Sequence, residues 1–191
     1  MNYPSKQREE SMKLALTRLD EVSSAPFIVE VGRMRHPDAG EADGHSTLAF
    51  LEYLNAMEAG RLLSIDSDPA TEVVCRAILV GKGMSAERLS CWNKDAITLF
   101  SIDRIESLID PIHLLYLDGW DLEIGCTASQ KAHAVCFLFA EHLIAKGGLV
   151  LIDDTGFPGL GKGGLVIPVA ETLGYEVLHE GFQVLLRKKL T

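Results

Sequence analysis

The chain has 191 residues and a formal net charge of −9, with 18 Lys and Arg against 27 Asp and Glu, a length that fits one domain able to bury its own core. That acidic excess opposes the counterion release that drives binding to a phosphate backbone, so no nucleic-acid partner is expected. Hydrophobic residues make up 47% of the chain, as in ordinary globular proteins, yet no apolar run approaches the roughly 20 residues of a membrane span and the opening MNYPSKQREESMK is not signal-like; this predicts a cytoplasmic protein with no membrane partner.

From Ser11 to Val22, Met12, Ala15, Leu16, Leu19 and Val22 recur at helical spacing, which predicts a leading helix with one apolar stripe and its Lys and Arg residues outward. FIVEVG at 27–32 is a short apolar run ended by glycine, the pattern of a buried strand. After a polar loop from Arg33 to Gly44, Ser46 or Thr47 is placed to cap a helix carrying Leu48, Leu51, Leu54 and Met57 and closed by Gly60. RLLSID (61–66) reads as the second strand, and Asp68-Pro69 opens a helix that ends at Gly81. LSCW (89–92), HLLYLD (113–118) and GLVLID (148–153) follow as strands, with a long helix expected over about 128–146.

Strands alternating with helices over short connections predict parallel neighbours covered on both faces. The alternation breaks at YEVLHE (175–180) and FQVLLRK (182–188), which only Gly181 separates; two β-rich runs that close must form an antiparallel hairpin. The expected fold is therefore α/β, a Rossmann-like doubly wound, mostly parallel seven-stranded sheet with an antiparallel C-terminal strand. Residues 25–191 form its single domain, and residues 1–24 an N-terminal helix that is a candidate lid or homodimer element.

Cys75, Cys91, Cys126 and Cys136 are scattered, without the clustered Cys/His spacing that holds zinc, so reduced structural thiols are expected. Ligands of open α/β sheets bind beyond the carboxyl ends of the strands, and here those ends are acidic: Glu30, Asp66, Asp95, Asp118 and Asp153-Asp154. Gly32 lets the backbone turn sharply beside a ligand, and Asp66 is placed to accept both hydroxyls of a ribose.

FIVEVG, GHST, LLSIDSDP, NKDA, HLLYLDGW and GGLVLIDD, in that order, resemble the successive motifs of class I S-adenosylmethionine-dependent methyltransferases, over nearly the whole chain from about residue 25. The resemblance implies that Glu30 and Gly32 line the methionine end of S-adenosylmethionine, with Gly44 and Ser46 in the adjoining loop. It also implies that Asp66 and Ser67 meet the ribose, that Asp95 and Ala96 meet the adenine, and that Asp118 borders the cofactor. The segment from Arg33 to Asp43 departs from the family's compact glycine-rich loop, leaving Arg33, Arg35 or the amides near Ser46 as candidates for the methionine carboxylate.

Asp118, Asp153 and Asp154 fall where metal-dependent O-methyltransferases of the catechol and macrolide-sugar types place carboxylates for a divalent cation. The resemblance thus implies Mg2+ or a similar ion orienting a small-molecule hydroxyl and lowering its pKa. The candidate catalytic residues are Asp118 and Asp121; the latter replaces the family's lysine base and is a candidate base only if burial or a neighbouring anion raises its pKa. Trp120 is a candidate apolar wall. His36 and His45 are placed to meet ligand, and the other histidines are expected to be structural. The glycine-rich stretch from Thr155 to Gly164 is a candidate mobile cover on the acceptor side; Lys162 is followed by Gly163, so it is not a phosphate loop. Two other classes fit less of the pattern: a catalytically silent S-adenosylmethionine-binding domain, and a nicotinamide-dependent oxidoreductase, which would need the absent GxGxxG.

Overall fold

The computed structural model describes residues 4–36, 46–102, 110–123 and 127–190. Seven strands, β1 (Phe27–Val31), β2 (Arg61–Asp66), β3 (Leu89–Asn93), β4 (Ile112–Leu117), β5 (Ile144–Ile152), β6 (Glu176–His179) and β7 (Val184–Arg187), form one sheet in the order β3-β2-β1-β4-β5-β7-β6. The pairs from β3 through β5 are parallel, while β7 runs antiparallel to both β5 and β6. This is the expected doubly wound sheet with its reversed last strand. The order turns back between β1 and β4, and that switch point opens the crevice in which such folds bind ligands.

Helices α1 (Pro4–Leu19), α2 (Ser46–Met57) and α3 (Pro69–Gly81) cover one face, and α4 (Ala96–Phe100), α5 (Ala128–Ala140) and α6 (Val166–Thr172) the other. Side chains of a strand alternate between faces. Phe27, Val29 and Val31 accordingly enter the core under α4–α6, and Ile28 enters the core under α1–α3. Helix α1 starts at Pro4, earlier than its apolar stripe predicts, and buries Met12, Ala15 and Leu19 in that second core. It is docked on the sheet.

The predicted long helix over 128–146 ends instead at Ala140, followed by a 3-10 turn (Glu141–Leu143), and β5 begins at Ile144. Burial decides the boundary: Ile144 is core and pairs with Ile112, and the register irregularity that follows absorbs the Gly147-Gly148 step. Among the described residues no helix is long and apolar enough to cross a membrane.

Candidate active site

The strand ends divide into two groups. The first surrounds a recess beyond β1, β2 and β3, lined by Gly32, Asp66, Ser67, Asp95, Ala96 and Trp120. Gly32 is obligatory on two counts. Its φ is +95°, and a Cβ there would lie 2.5 Å from the carbonyl oxygen of Asp118, so β1 and β4 can part this tightly only with glycine at the junction.

Asp66 closes β2 with both carboxylate oxygens held: Oδ2 accepts from the backbone N–H of Arg33 at 3.0 Å and Oδ1 from that of Asp68 at 2.9 Å. Each oxygen keeps lone-pair capacity for a further donor. Asp68 then caps α3 by accepting from the backbone N–H of Ala70. Asp95 caps α4, its Oδ1 accepting from the N–H and the hydroxyl of Thr98 at 2.8 Å each. Ala96 is buried beneath it.

Glu30 departs from the expectation. It lies one residue before the end of β1, so alternation turns it to the α1–α3 face, where it is fully buried. Its carboxylate accepts from Ser46 Oγ (2.6 Å), Thr47 Oγ1 (2.8 Å) and Ser64 Oγ (2.6 Å). Glu30 therefore pins the N-terminus of α2 to β1 and β2 and does not line the recess. Burial pushes its carboxyl pKa up, and the three hydroxyls oppose that shift. Ser46, read as a cofactor contact, is likewise buried and spends its hydroxyl on Glu30. Gly44 and His45 lie outside the described residues.

Arg33 is also a correction, being neither a loop residue in solvent nor a ready carboxylate clamp. Its buried guanidinium donates to Ser64 O (2.8 Å), Asn93 Oδ1 (2.9 Å), Thr71 Oγ1 (3.2 Å) and Trp92 O (3.2 Å), stitching β2, β3 and α3 together beneath the recess. Arg35 instead pairs with Asp121 at 3.0 Å. The Asp121 side chain is 75% exposed, and the Arg35 hydrogen bond holds its pKa below the ordinary aspartate value. That environment is the reverse of what a general base needs, so Asp121 is not a candidate for that role.

The second group lies beyond β4 and β5. Asp118, Asp153 and Asp154 converge there as expected, but with two cations that the sequence reading did not place among them. Lys162 Nζ lies 2.5 Å from Asp118 Oδ1 and 3.1 Å from Asp154 Oδ2. Arg8, reaching over from α1, donates from Nε to Asp153 Oδ1 at 3.0 Å and from Nη2 to Asp154 Oδ1 at 2.6 Å. The Tyr116 hydroxyl donates to Asp153 Oδ2 at 3.0 Å, and Gln183 links Tyr116 to Ser11 of α1.

These carboxylates do not fit a divalent cation as they stand. Among the described residues, every oxygen is engaged by a cation or a close donor except Asp118 Oδ2, whose one contact there is Tyr116 at 3.5 Å. Among the described residues no group of three acidic, histidine or cysteine side chains is arranged to hold an ion. Burial, reinforced by Asp153, pushes the Asp118 pKa up, while Lys162 opposes it. For Lys162, burial works against the ammonium, but Asp118 and Asp154 outweigh it and the pKa is raised.

The glycine-rich loop explains how Lys162 arrives. Over Pro158–Gly163 it is wound tightly but broken by a kink, with positive, non-helical φ at Gly159, Leu160 and Gly161. A Cβ at Gly161 would lie 1.7 Å from the carbonyl oxygen of Asp154, so only glycine lets the loop fold this closely over the end of β5. Gln130 of α5 fastens it through the carbonyls of Gly159 (3.1 Å) and Gly161 (2.8 Å). The expected cover is thus tied down and carries a buried lysine. Trp120 packs edge-on against His133 with ring centroids 5.1 Å apart. His133 is buried, with Nδ1 2.7 Å from the carbonyl oxygen of Ser129 and Nε2 without a hydrogen-bond partner among the described residues.

A seven-stranded sheet of this order, reversed at β7 and with an acid closing β2 beside the switch-point recess, is the fold of class I S-adenosylmethionine-dependent methyltransferases. Solved structures share it across almost the whole chain. The O-methyltransferase NovP matches 96% of this chain and 80% of its own at 15% identity, with a TM-score of 0.67. The O-methyltransferase TomG from Streptomyces achromogenes, solved in complex with SAM, matches 96% and 79% at 17% identity and a TM-score of 0.59. A methyltransferase from Geobacter sulfurreducens matches 97% and 80% at 17% identity and a TM-score of 0.60. No protein-family model and no curated protein sequence matches the chain. At these identities the likeness is one of fold.

Proposed function

We propose that the protein is an S-adenosylmethionine-dependent methyltransferase acting on a hydroxyl oxygen of a small molecule. The observation that carries this reading is the recess at the switch point, where Gly32 clears the floor and the Asp66 carboxylate is fixed at the end of β2. In this reading Asp66 accepts from the ribose hydroxyls, Asp95 from the adenine amino group through the oxygen it does not spend on capping, and Trp120 walls the pocket. Since Arg33 is committed to the frame, the methionine carboxylate falls to the first amides of α2. The acidic surroundings suit a sulfonium cation. NovP and TomG, both O-methyltransferases, support the oxygen acceptor.

Transfer needs the acceptor oxygen in line with the S–CH3 bond. The O–CH3 bond forms as the S–CH3 bond breaks, the bonding pair stays on sulfur to give S-adenosylhomocysteine, and the hydroxyl proton leaves to a carboxylate. Asp118 takes that role in place of Asp121, because Gly119 beside it borders the recess and its Oδ2 is the least engaged oxygen of the cluster.

Calorimetry with S-adenosylmethionine, S-adenosylhomocysteine and NAD tests the reading. The first two are expected to bind and NAD is not; binding of NAD alone would sink it. The Asp66→Ala variant is expected to weaken S-adenosylmethionine roughly 100-fold, the loss of two hydrogen bonds to a charged acceptor. An unchanged affinity in a folded variant would remove Asp66 from the site.

A further inference from the structure

We propose that Lys162 is the built-in counter-cation of the Asp118–Asp153–Asp154 cluster, standing where a divalent ion would otherwise be held, so that this site works without one. The inference deepens the methyl-transfer reading and concerns the same site. Its geometric basis is independent of that reading.

Three observations converge. Lys162 is 3% exposed, and its ammonium bridges Asp118 and Asp154, the two carboxylates that follow β4 and β5. A surface lysine would swing away from an incoming ion, but this one is delivered by a loop that Gly161 and Gln130 lock in place. Arg8 takes the remaining oxygen of Asp154 and one of Asp153, so three carboxylates already face two cations. A divalent ion entering here would sit beside both positive charges and would displace nitrogen donors from the oxygens it must coordinate. An ammonium with three N–H donors, two of them spent on carboxylates, also keeps one to direct at an acceptor oxygen. In this site Lys162 positions Asp118 and balances the cluster.

The test is Mn2+ binding, followed by calorimetry and by the thermal unfolding midpoint, on the wild type, on Lys162→Met, which keeps the apolar stem without the charge, and on Lys162→Met/Asp153→Asn. The wild type is expected to show no saturable Mn2+ binding at up to millimolar concentration and no change of midpoint with Mn2+ or EDTA. Lys162→Met is expected to gain Mn2+ affinity by at least about tenfold over the wild type, because a buried anionic cluster stripped of its cation recruits another, and the double variant is expected to lose that gain. A saturable Mn2+ site in the wild type, or a folded Lys162→Met protein with no gain, overturns the proposal. Should Lys162→Met fail to fold, the wild-type response to Mn2+ and EDTA decides alone. S-adenosylmethionine calorimetry on the same preparations keeps the two readings apart: cofactor binding without the Mn2+ pattern removes only the role of Lys162, and the Mn2+ pattern without cofactor binding removes only methyl transfer.

Discussion

Replacing Glu30 by alanine is expected to destabilise the protein by about 3–5 kcal/mol, enough to consume much of the stability of an ordinary domain. The cost has two parts. Ser46, Thr47 and Ser64 lose a common acceptor inside a core closed to water, and each buried hydroxyl left unpaired carries a desolvation penalty. In addition, α2 loses the clamp that joins its first residues to β1 and β2. Glu30→Gln is the informative control, since it preserves the shape and one acceptor oxygen; it should cost about 1 kcal/mol. Urea unfolding of the three proteins measures both effects. If Glu30→Ala unfolded at nearly the wild-type midpoint, the three hydroxyls would have found other partners and the clamp would be dispensable. S-adenosylmethionine affinity in folded Glu30→Gln should stay close to that of the wild type, because the side chain faces away from the recess.

The second large effect is a loss of stability in mild acid traced to His133. Burial lowers its pKa to about 4, against the ordinary value of 6.5, so the native state keeps the imidazole neutral while the unfolded chain takes up a proton below pH 6.5. Above that pH neither state is protonated there and the residue adds no pH dependence. Between about pH 6.5 and 4 the unfolded state binds more protons, so stability falls with falling pH, by up to about 3 kcal/mol from this residue. Below about pH 4 both states are protonated and its contribution levels off. The structural basis is Nε2, buried beside Trp120 with no hydrogen-bond partner among the described residues. His133→Phe keeps an aromatic ring against Trp120 and removes the titration. From pH 6.5 down to 4 the unfolding free energy of the wild type should fall relative to that of the variant by up to about 3 kcal/mol, and a constant difference would show that His133 accepts its proton in the folded protein.

Much of this molecule was legible along the chain. Apolar runs of strand length, glycine and proline punctuation and the two β-rich runs around Gly181 determine the order of elements and require β6 and β7 to pair antiparallel, because those are local consequences of side-chain periodicity and connection length. The same local logic located Gly32, Asp66 and Asp95 at strand ends, where α/β folds bind ligands. The end of α5 is not local in this sense, because the 3-10 turn and the start of β5 are decided by the burial of Ile144 against Ile112, a contact between distant segments.

The site's electrostatics were decided by the tertiary structure alone. Glu30 stands in the expected motif, yet a shift of one residue along a strand exchanges the cleft for the core, and only the packing of α2 reveals three hydroxyls waiting there. Arg33 reads as a charged loop residue until β3 supplies its acceptors. Arg8 and Lys162 lie far in sequence from the aspartates they meet, and nothing in their local pattern marks them, apart from the glycines flanking Lys162, whose purpose appears only when Gly161 is seen against the carbonyl of Asp154. Periodicity and turn chemistry are properties of neighbours along the chain, so the sequence determines them. Which charge balances which is a property of neighbours in space, and for this acidic cluster the fold alone assigned them.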